Sequence, residues 1–247
     1  MRRLTLLASL LVLGCGDAGP GGQTLTYFFS YDPRSLDPAL STDVPTGEMV
    51  ALLYDNLIQA DAEGGLQPGL AARWETDADG RVYTLHLRSG ATFHDGRPVR
   101  AADVAASFRR ALAPGSTGGR GWPLHPIVGA REYAAGTTPD IAGLATPDDS
   151  TVVLTLEEPL NIFPKLLAMP VAAVVPESIG PGFDQAPVGS GPWRFVSWSH
   201  DDQLVLARNE SYWGTVPGAD TLIIRIIPEP LTQAAADVHA QQPAFVA

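Results

Sequence analysis

Cysteine is almost absent from this sequence, and no apolar run is long enough to cross a bilayer. Cys15 is the only cysteine in 247 residues, so an intrachain disulfide is excluded. The apolar stretch from Leu4 to Leu13 has about ten residues, whereas a spanning helix needs about 20. The 16 basic residues are outnumbered by 27 acidic ones, and the net charge of −11 argues against nucleic-acid binding.

Patterns typical of catalytic and metal sites are missing as well. The five histidines are scattered without the spacing of metal ligands. The run Gly189-Ser190-Gly191 is not a nucleophile elbow, because Val188 and Pro192 stand where that motif needs glycine. No phosphate loop or dinucleotide fingerprint occurs. The sequence therefore predicts neither an enzyme, nor a metal site, nor a cofactor; a hydrolase remains an alternative without a visible nucleophile and base.

The N-terminus has the pattern of an export signal. Arg2 and Arg3 precede the apolar stretch, and residues 12–15 (Val-Leu-Gly-Cys) resemble a bacterial lipobox. This pattern predicts a lipoprotein signal peptide at 1–14, then the lipidated Cys15 and a flexible linker to residue 23. The protein would be exported and anchored by lipid to the outer face of a bacterial membrane. The alternative is an ordinary secretory signal with an incidental cysteine.

Strand and helix patterns alternate through the rest of the chain. The spacing of apolar residues predicts two helices, 46–59 with Thr46 as a candidate N-cap, and 101–112 with Val104, Phe108 and Leu112 on one face. Strands are predicted at 24–29, 81–88, 151–156, 193–198, 203–207 and 221–227. This order of elements is typical of an α/β or mixed α+β body.

Several sequence blocks occur in the order found in one known family. They are 35–38 (SLDP), 66–74 (LQPGLAARW), 83–88 (YTLHLR), 93–99 (FHDGRPV), 101–104 (AADV), 107–110 (SFRR), 189–193 (GSGPW) and 209–214 (NESYWG). With these blocks the chain resembles solute-binding family 5, the extracytoplasmic receptors of oligopeptide, dipeptide and nickel ABC importers. Asp148-Asp149-Ser150 and Glu158-Pro159 most resemble the oligopeptide-binding branch.

The resemblance implies a periplasmic-binding-protein type II-like fold, in which two lobes close on the solute. It places an incomplete first lobe at 24–44 plus 169–247 and an inserted extra domain at 45–168. We expect the resemblance to fade after Ile227, and the tail lacks the family's next block, so the C-terminal lobe is expected to be missing. A single lobe cannot bury most of a ligand, so we expect weak peptide binding or none.

The resemblance also implies a set of ligand contacts. Thr42, Asp43 and Val44 match a segment that contacts the peptide backbone, and Asp43 adds a carboxylate that could attract a ligand amine. The alternative is an ordinary loop that caps the next helix. The loop 116–122 matches the place where an aromatic side chain reaches the ligand, so Trp122 or Arg120 would serve there.

The function implied by the resemblance is capture of oligopeptides for transport. The expected partners are the oligopeptide, the ABC permease in the membrane and the lipid anchor, with the protein as a monomer that does not bind nucleic acid. Two alternatives remain open: a receptor of the same family for another solute, such as a nickel chelate or a sugar, and a surface lipoprotein without a transport role.

Overall fold

The computed structural model describes residues 22–41, 43–61, 63–116 and 120–227. The signal segment 1–14, Cys15, Thr42 and the tail from residue 228 lie outside them. The helices are α1 Val44–Leu53, α2 Ala101–Ala111, α3 Ala130–Ala134 and α4 Phe163–Leu166. The strands are β1 Thr24–Phe29, β2 Ile58–Ala60, β3 Leu66–Pro68, β4 Ala71–Thr76, β5 Val82–Leu87, β6 Leu144–Asp148, β7 Thr151–Thr155, β8 Trp193–Ser199, β9 Gln203–Arg208 and β10 Thr221–Ile226.

The first sheet joins the beginning of the chain to its later part. Its strand order is β1-β10-β9-β8, and β1 pairs with β10 in parallel, from Thr24 opposite Thr221 to Phe29 opposite Ile226. The other two pairings are antiparallel. Alternate residues of β10, Leu222 and Ile224, are buried, because successive side chains of a strand point to opposite faces. One face of this sheet therefore forms a core.

The second large sheet is antiparallel, with the strand order β4-β5-β7-β6, and β2 and β3 form a separate pair. Helix α2 packs on β6 and β7. Val104, Phe108 and Leu112 are all buried, which confirms the stripe predicted from their spacing. Within the described residues, no helix has the length and apolarity that a membrane span requires.

The predicted helix 46–59 is wrong at both ends. Helix α1 begins at Val44, and Asp43 rather than Thr46 is its N-cap, since Asp43 Oδ1 accepts a hydrogen bond from the Thr46 N–H at 2.8 Å. The helix ends at Leu53 because Tyr54 is extended (φ −133°, ψ 159°). The hydroxyl of Tyr54 donates to the Leu36 carbonyl at 2.8 Å, which fixes the chain in that direction.

The buried residues form two hydrophobic cores. One is centred on the β4-β5-β7-β6 sheet and α2, and the other on the β1-β10-β9-β8 sheet. Helix α1 contributes Met49, Val50 and Leu53 to the core of the β1-β10-β9-β8 sheet, although the sequence prediction assigns it to the inserted domain. The division into a first lobe and an inserted domain stays a prediction.

Candidate functional site

The segment before α1 is fixed by a buried ion pair. Asp37 caps the 3-10 turn Pro38–Leu40, where Oδ1 accepts from the Ala39 N–H at 2.9 Å. Its side chain is only 4% exposed and forms a two-point pair with Arg110 of α2, in which Nη1 lies 2.6 Å from Oδ1. Arg110 also lies over the Phe183 ring, 5.6 Å from its centroid. The SLDP and SFRR blocks are thus tied to each other.

Asp43 and Val44 lie at the exposed start of α1. The Asp43 backbone is extended (φ −136°, ψ 165°), and the side chain of Val44 is 72% exposed. Asp43 Oδ2 is buried and has no hydrogen-bond partner in the described structure, while Arg34 Nε lies 3.9 Å from it. Asp43 therefore caps helix α1, which is the alternative role that the sequence left open for this loop. The ligand contact stays a prediction, and Thr42 falls outside the described residues.

Trp122 opens a second exposed turn. It is the first residue of the 3-10 turn Trp122–Leu124 and is 48% exposed, while Pro123 and Leu124 are buried beneath it. Arg120 is exposed just before this turn. A Cβ on Gly121 would lie 2.8 Å from Leu112 Cδ2 and 3.0 Å from the Ala111 carbonyl oxygen. Glycine therefore lets the loop lie directly against the end of α2.

The segment Pro170–Ala172 connects these two places. It contacts the turn Trp122–Leu124 on one side, and the turn Pro38–Leu40 and helix α1 on the other. Its approach to α1 is close, since a Cβ on Gly47 would lie 3.4 Å from Pro170 Cγ. Val44 and Trp122, two of the predicted ligand residues, thus lie on two elements that both contact Pro170–Ala172.

Asp55 and Asn56 hold that connecting segment. The Asn56 side-chain amide donates to the carbonyls of Leu167 at 2.8 Å and Met169 at 2.7 Å. The Val174 N–H donates to the Asp55 carbonyl at 3.0 Å. The residues that flank Pro170–Ala172 are therefore attached on both sides to the chain that leaves α1.

The carboxylate of Asp55 is buried, with 1% of the residue exposed, and it accepts three side-chain hydrogen bonds. Tyr212 Oη and Gln59 Nε2 donate to Oδ1 at 3.0 and 2.9 Å, and Trp213 Nε1 donates to Oδ2 at 2.8 Å. Burial raises the pKa of Asp55 to about 6, although the hydrogen bonds from Trp213 and Tyr212 and the charge of Arg88 oppose the shift. The guanidinium of Arg88 lies 3.7 Å from the centroid of the Trp213 ring.

His94 connects the FHDG block to the GSGPW block. The Gly189 N–H donates to His94 Nδ1 at 3.1 Å, and Nε2 lies 3.0 Å from the Gly191 carbonyl oxygen. Since Nδ1 is an acceptor, Nε2 carries the proton and donates, which defines a neutral imidazole. Burial lowers the pKa of His94 to about 4. The sequence predicts only a polar turn here, and this link to a distant segment was missed.

Neither Asp55 nor His94 was predicted to have a role of this kind. His94 lies in the block 93–99 that helps to carry the family resemblance, whereas Asp55 lies outside all of these blocks. The folded structure links each of them to a later block: Asp55 contacts NESYWG and His94 contacts GSGPW. Among the described residues, no group of three or more His, Cys, Asp or Glu side chains is placed to hold a metal ion.

Comparisons with known proteins agree with this reading of the blocks. The family model described as bacterial extracellular solute-binding proteins, family 5 Middle, matches residues 65–241. The expectation that the resemblance fades after Ile227 is therefore wrong, since the match continues to residue 241. The periplasmic oligopeptide-binding protein OppA of Salmonella typhimurium is 32% identical over 88% of this chain and 41% of its own length.

Two further relatives indicate the range of the group. The probable deoxycholate-binding periplasmic protein YgiS of Escherichia coli is 30% identical over 77% of this chain and 37% of its own length. The solved structure of the Escherichia coli murein tripeptide binding protein MppA matches with a TM-score of 0.82 and 26% identity, over 89% of this chain and 45% of that chain. The described residues thus have a periplasmic-binding-protein type II-like fold, and the chain spans less than half of the length of these relatives.

Proposed function

Because the chain belongs to the bacterial extracellular solute-binding proteins, family 5, we propose that it captures peptides for an ABC importer. Its relatives include a protein named for oligopeptide binding and one named for murein tripeptide binding. We propose that the described residues supply one side of the peptide site. The role is one of binding and not of catalysis.

The observation that carries this proposal is the exposed start of α1. In the first turn of α1, Pro45 has no N–H, and the N–H groups of Thr46 and Gly47 already donate to Asp43, so the Val44 N–H is the donor that a peptide could use. The extended Asp43 precedes it, so a peptide strand could pair with main-chain groups here, which would recognise what every peptide shares. Trp122, on the turn that contacts the other side of Pro170–Ala172, would pack against a peptide side chain or backbone.

The domain division belongs to the same proposal. We place the first lobe on the β1-β10-β9-β8 sheet and the inserted domain on the β4-β5-β7-β6 sheet, because each sheet has its own core. Since Met49, Val50 and Leu53 lie in the core of the β1-β10-β9-β8 sheet, this arrangement favours a boundary after Tyr54 instead of residue 44.

We also propose export, a lipid anchor at Cys15 and a permease partner in the same membrane. These follow from the lipobox pattern of residues 12–15 and from membership of a family of extracellular solute-binding proteins. A tethered monomer with a flexible linker at 15–23 could reach the permease from its anchor.

A second candidate is a receptor for a solute other than a peptide. It is favoured by the similarity to YgiS, whose name describes deoxycholate binding. A bile acid has no peptide backbone to pair with Val44, so its recognition would depend on the apolar faces of Trp122 and Val44 and not on main-chain hydrogen bonds.

The test is a titration of the isotope-labelled chain with peptides, followed by amide chemical shifts. We expect shifts at Asp43, Val44 and Trp122 that are similar for pentapeptides of different sequence. A pentapeptide that is N-methylated at alternate residues is the control, because it keeps the side chains and loses backbone donors. Equal shifts with the methylated peptide, or shifts only with deoxycholate, would contradict main-chain recognition.

A further inference from the structure

We propose that Asp55 is a positioning residue that couples its own protonation to the placement of Pro170–Ala172, and so to the candidate ligand surface. For its consequence on ligand affinity, this inference rests on the proposed function. The geometry itself does not depend on the ligand. Asp55 touches neither Val44 nor Trp122 by any hydrogen bond of the described structure, and acts through other residues.

The carboxylate joins parts of the chain that are distant in sequence. Tyr212 and Trp213, which bind it, lie 157 and 158 residues further along, in the connection between β9 and β10. The backbone of the same residue is also attached to the GSGPW block, since the Asp55 N–H donates to Ser190 Oγ at 3.3 Å. The loop before β10 is thereby attached to the residue that follows helix α1 and Tyr54.

The backbone of the same residue leads to the ligand surface. The Asp55 carbonyl accepts from the Val174 N–H at 3.0 Å, and the neighbouring Asn56 side chain holds the carbonyls of Leu167 and Met169. The Pro170–Ala172 turn lies between these attachments and contacts both α1 and Trp122–Leu124. A small movement of Asp55 would therefore move the segment between the two candidate contacts.

Protonation changes what the carboxyl group can do. Ionised, Asp55 accepts from all three donors, and these hydrogen bonds are charge-assisted. A proton on Oδ2 would compete with the Trp213 indole N–H, which has no acceptor to offer in exchange, whereas the Tyr212 hydroxyl at Oδ1 can accept. Tyr212 and Gln59 can reorient, so the contacts to Oδ1 rearrange while the bond from Trp213 weakens.

The groups that face Asp55 leave it as the one that titrates near neutral pH. Arg88 and Tyr212 are its ionisable neighbours. Burial lowers the pKa of Arg88, which the Asp55 charge opposes, and burial with the Asp55 charge raises the pKa of Tyr212. The carboxyl therefore changes charge at a pH of about 6, while arginine and tyrosine keep theirs.

The first readout needs no ligand. Tryptophan emission and amide hydrogen exchange of the full chain are followed from pH 7.5 to 5, with exchange corrected for its intrinsic pH dependence. We expect an emission transition with a midpoint of about 6. Protection of the Ala172 to Val174 amides should be about tenfold higher at the acidic end, because burial disfavours the charged carboxylate and ionisation at pH 7.5 therefore favours opening of the segment. In Asp55→Asn both changes should disappear.

Three variants identify the source of the signal. Trp213→Phe should remove the emission transition, whereas His200→Gln, which removes the ring 4.0 Å from that of Trp198, should keep it. Tyr212→Phe removes one donor to the carboxylate, so the midpoint should move to higher pH. Asp140→Asn, at an exposed ion pair, is the matched control and should behave as wild type.

The outcomes separate the two claims. A transition that persists in Asp55→Asn and does not move in Tyr212→Phe would overturn the assignment of the proton to Asp55. Unchanged protection at Ala172 to Val174 would overturn the positioning role. With peptides, wild-type affinity should be about tenfold higher at pH 5 than at pH 7.5, and the affinity of Asp55→Asn should be flat. An absence of peptide binding at every pH contradicts the proposed function and leaves the ligand-free result standing.

Discussion

His94 and Gly189 bind each other through two hydrogen bonds across 95 residues of sequence. The Gly189 N–H donates to the imidazole Nδ1 at 3.1 Å, and the His94 N–H donates to the Gly189 carbonyl at 2.7 Å. Gly189 also lies so close to helix α1 that a Cβ there would overlap the Leu53 carbonyl. This pair therefore fixes the turn before β8 against both the β5–α2 connection and helix α1.

The neutral state of His94 makes stability depend on pH. The folded pKa of about 4 lies below the unfolded value of 6.5, so the unfolded chain binds the proton more readily. The contribution of His94 is complete above pH 6.5 and is lost as the pH falls to about 4; the loss is about 3 kcal/mol at most. His94→Asn keeps an acceptor for Gly189 and should remove this loss, as measured by urea unfolding at pH 7 and pH 5.

Asp55 acts in the opposite direction over nearly the same range. Its folded pKa of about 6 lies above the unfolded value of 3.8, so its contribution is complete below pH 3.8 and is lost as the pH rises through about 6. Asp55→Asn should therefore lose stability more steeply on acidification than wild type does.

The His94 prediction has its own contrary outcome. If His94→Asn and wild type show the same change in unfolding free energy between pH 7 and pH 5, the assignment of a neutral imidazole to folded His94 is wrong.

Two adjacent arginines of α2 should differ greatly in their importance. Arg110 pairs with the buried Asp37, whereas Arg109 pairs with the exposed Asp140. Replacing Arg110 by alanine leaves a buried carboxylate without its partner, and we expect a loss of about 3 kcal/mol. Arg109→Ala should cost less than about 1 kcal/mol. Denaturant unfolding of both variants measures the difference, and equal losses would mean that the Asp37 pair is unimportant.

Local patterns predicted the elements that local interactions determine. The spacing of Val104, Phe108 and Leu112 gave helix α2, because that side of the helix alone faces the core. The same reasoning failed for α1, where the apolar Leu57 continues the spacing beyond the end of the helix. Helix α1 ends where the Tyr54 hydroxyl donates a hydrogen bond to the Leu36 carbonyl, 18 residues away. No local sequence pattern contains that contact.

The candidate ligand residues were predicted from the family resemblance and not from local patterns. They are Thr42, Asp43, Val44, Arg120 and Trp122; the structure places Val44 and Trp122 at exposed positions, and their contact with a ligand stays a prediction. Asp55 and His94 could not be found in this way, because their roles depend on partners that are distant in sequence. Their burial and hydrogen bonds appear only when the chain is folded.

Gly121 controls how closely the loop with Trp122 lies against α2. An alanine there would place its Cβ 2.8 Å from Leu112 Cδ2 and 3.0 Å from the Ala111 carbonyl, so the loop must shift. We expect Gly121→Ala to cost about 1–3 kcal/mol, as overpacked sites do. Gly180→Ala is the matched control, because nothing lies within 4 Å of its added Cβ. Thermal unfolding of the two variants decides, and equal midpoints would refute the close approach.

The lipid anchor can be tested by replacing one residue outside the folded domain. Cys15→Ser removes the only thiol in the sequence, so acylation at this position becomes impossible. We expect the variant to move from the membrane fraction to the soluble fraction of bacterial cells, while the wild type stays with the membrane. Wild-type protein that is soluble after export would favour the ordinary secretory signal instead.

Trp122 should matter for the ligand and little for the fold. Its side chain is half exposed, whereas Trp193 is 3% exposed and belongs to the core of the first sheet. Trp122→Ala should change the unfolding free energy by no more than about 1 kcal/mol, but should remove most of the peptide-induced amide shifts at Asp43 and Val44. Trp193→Phe, a conservative change in the core, should lower stability and leave those shifts in place, because it does not touch the candidate surface. Peptide shifts that survive in Trp122→Ala would place the aromatic contact elsewhere, and Arg120→Ala would then test the other residue of the same loop.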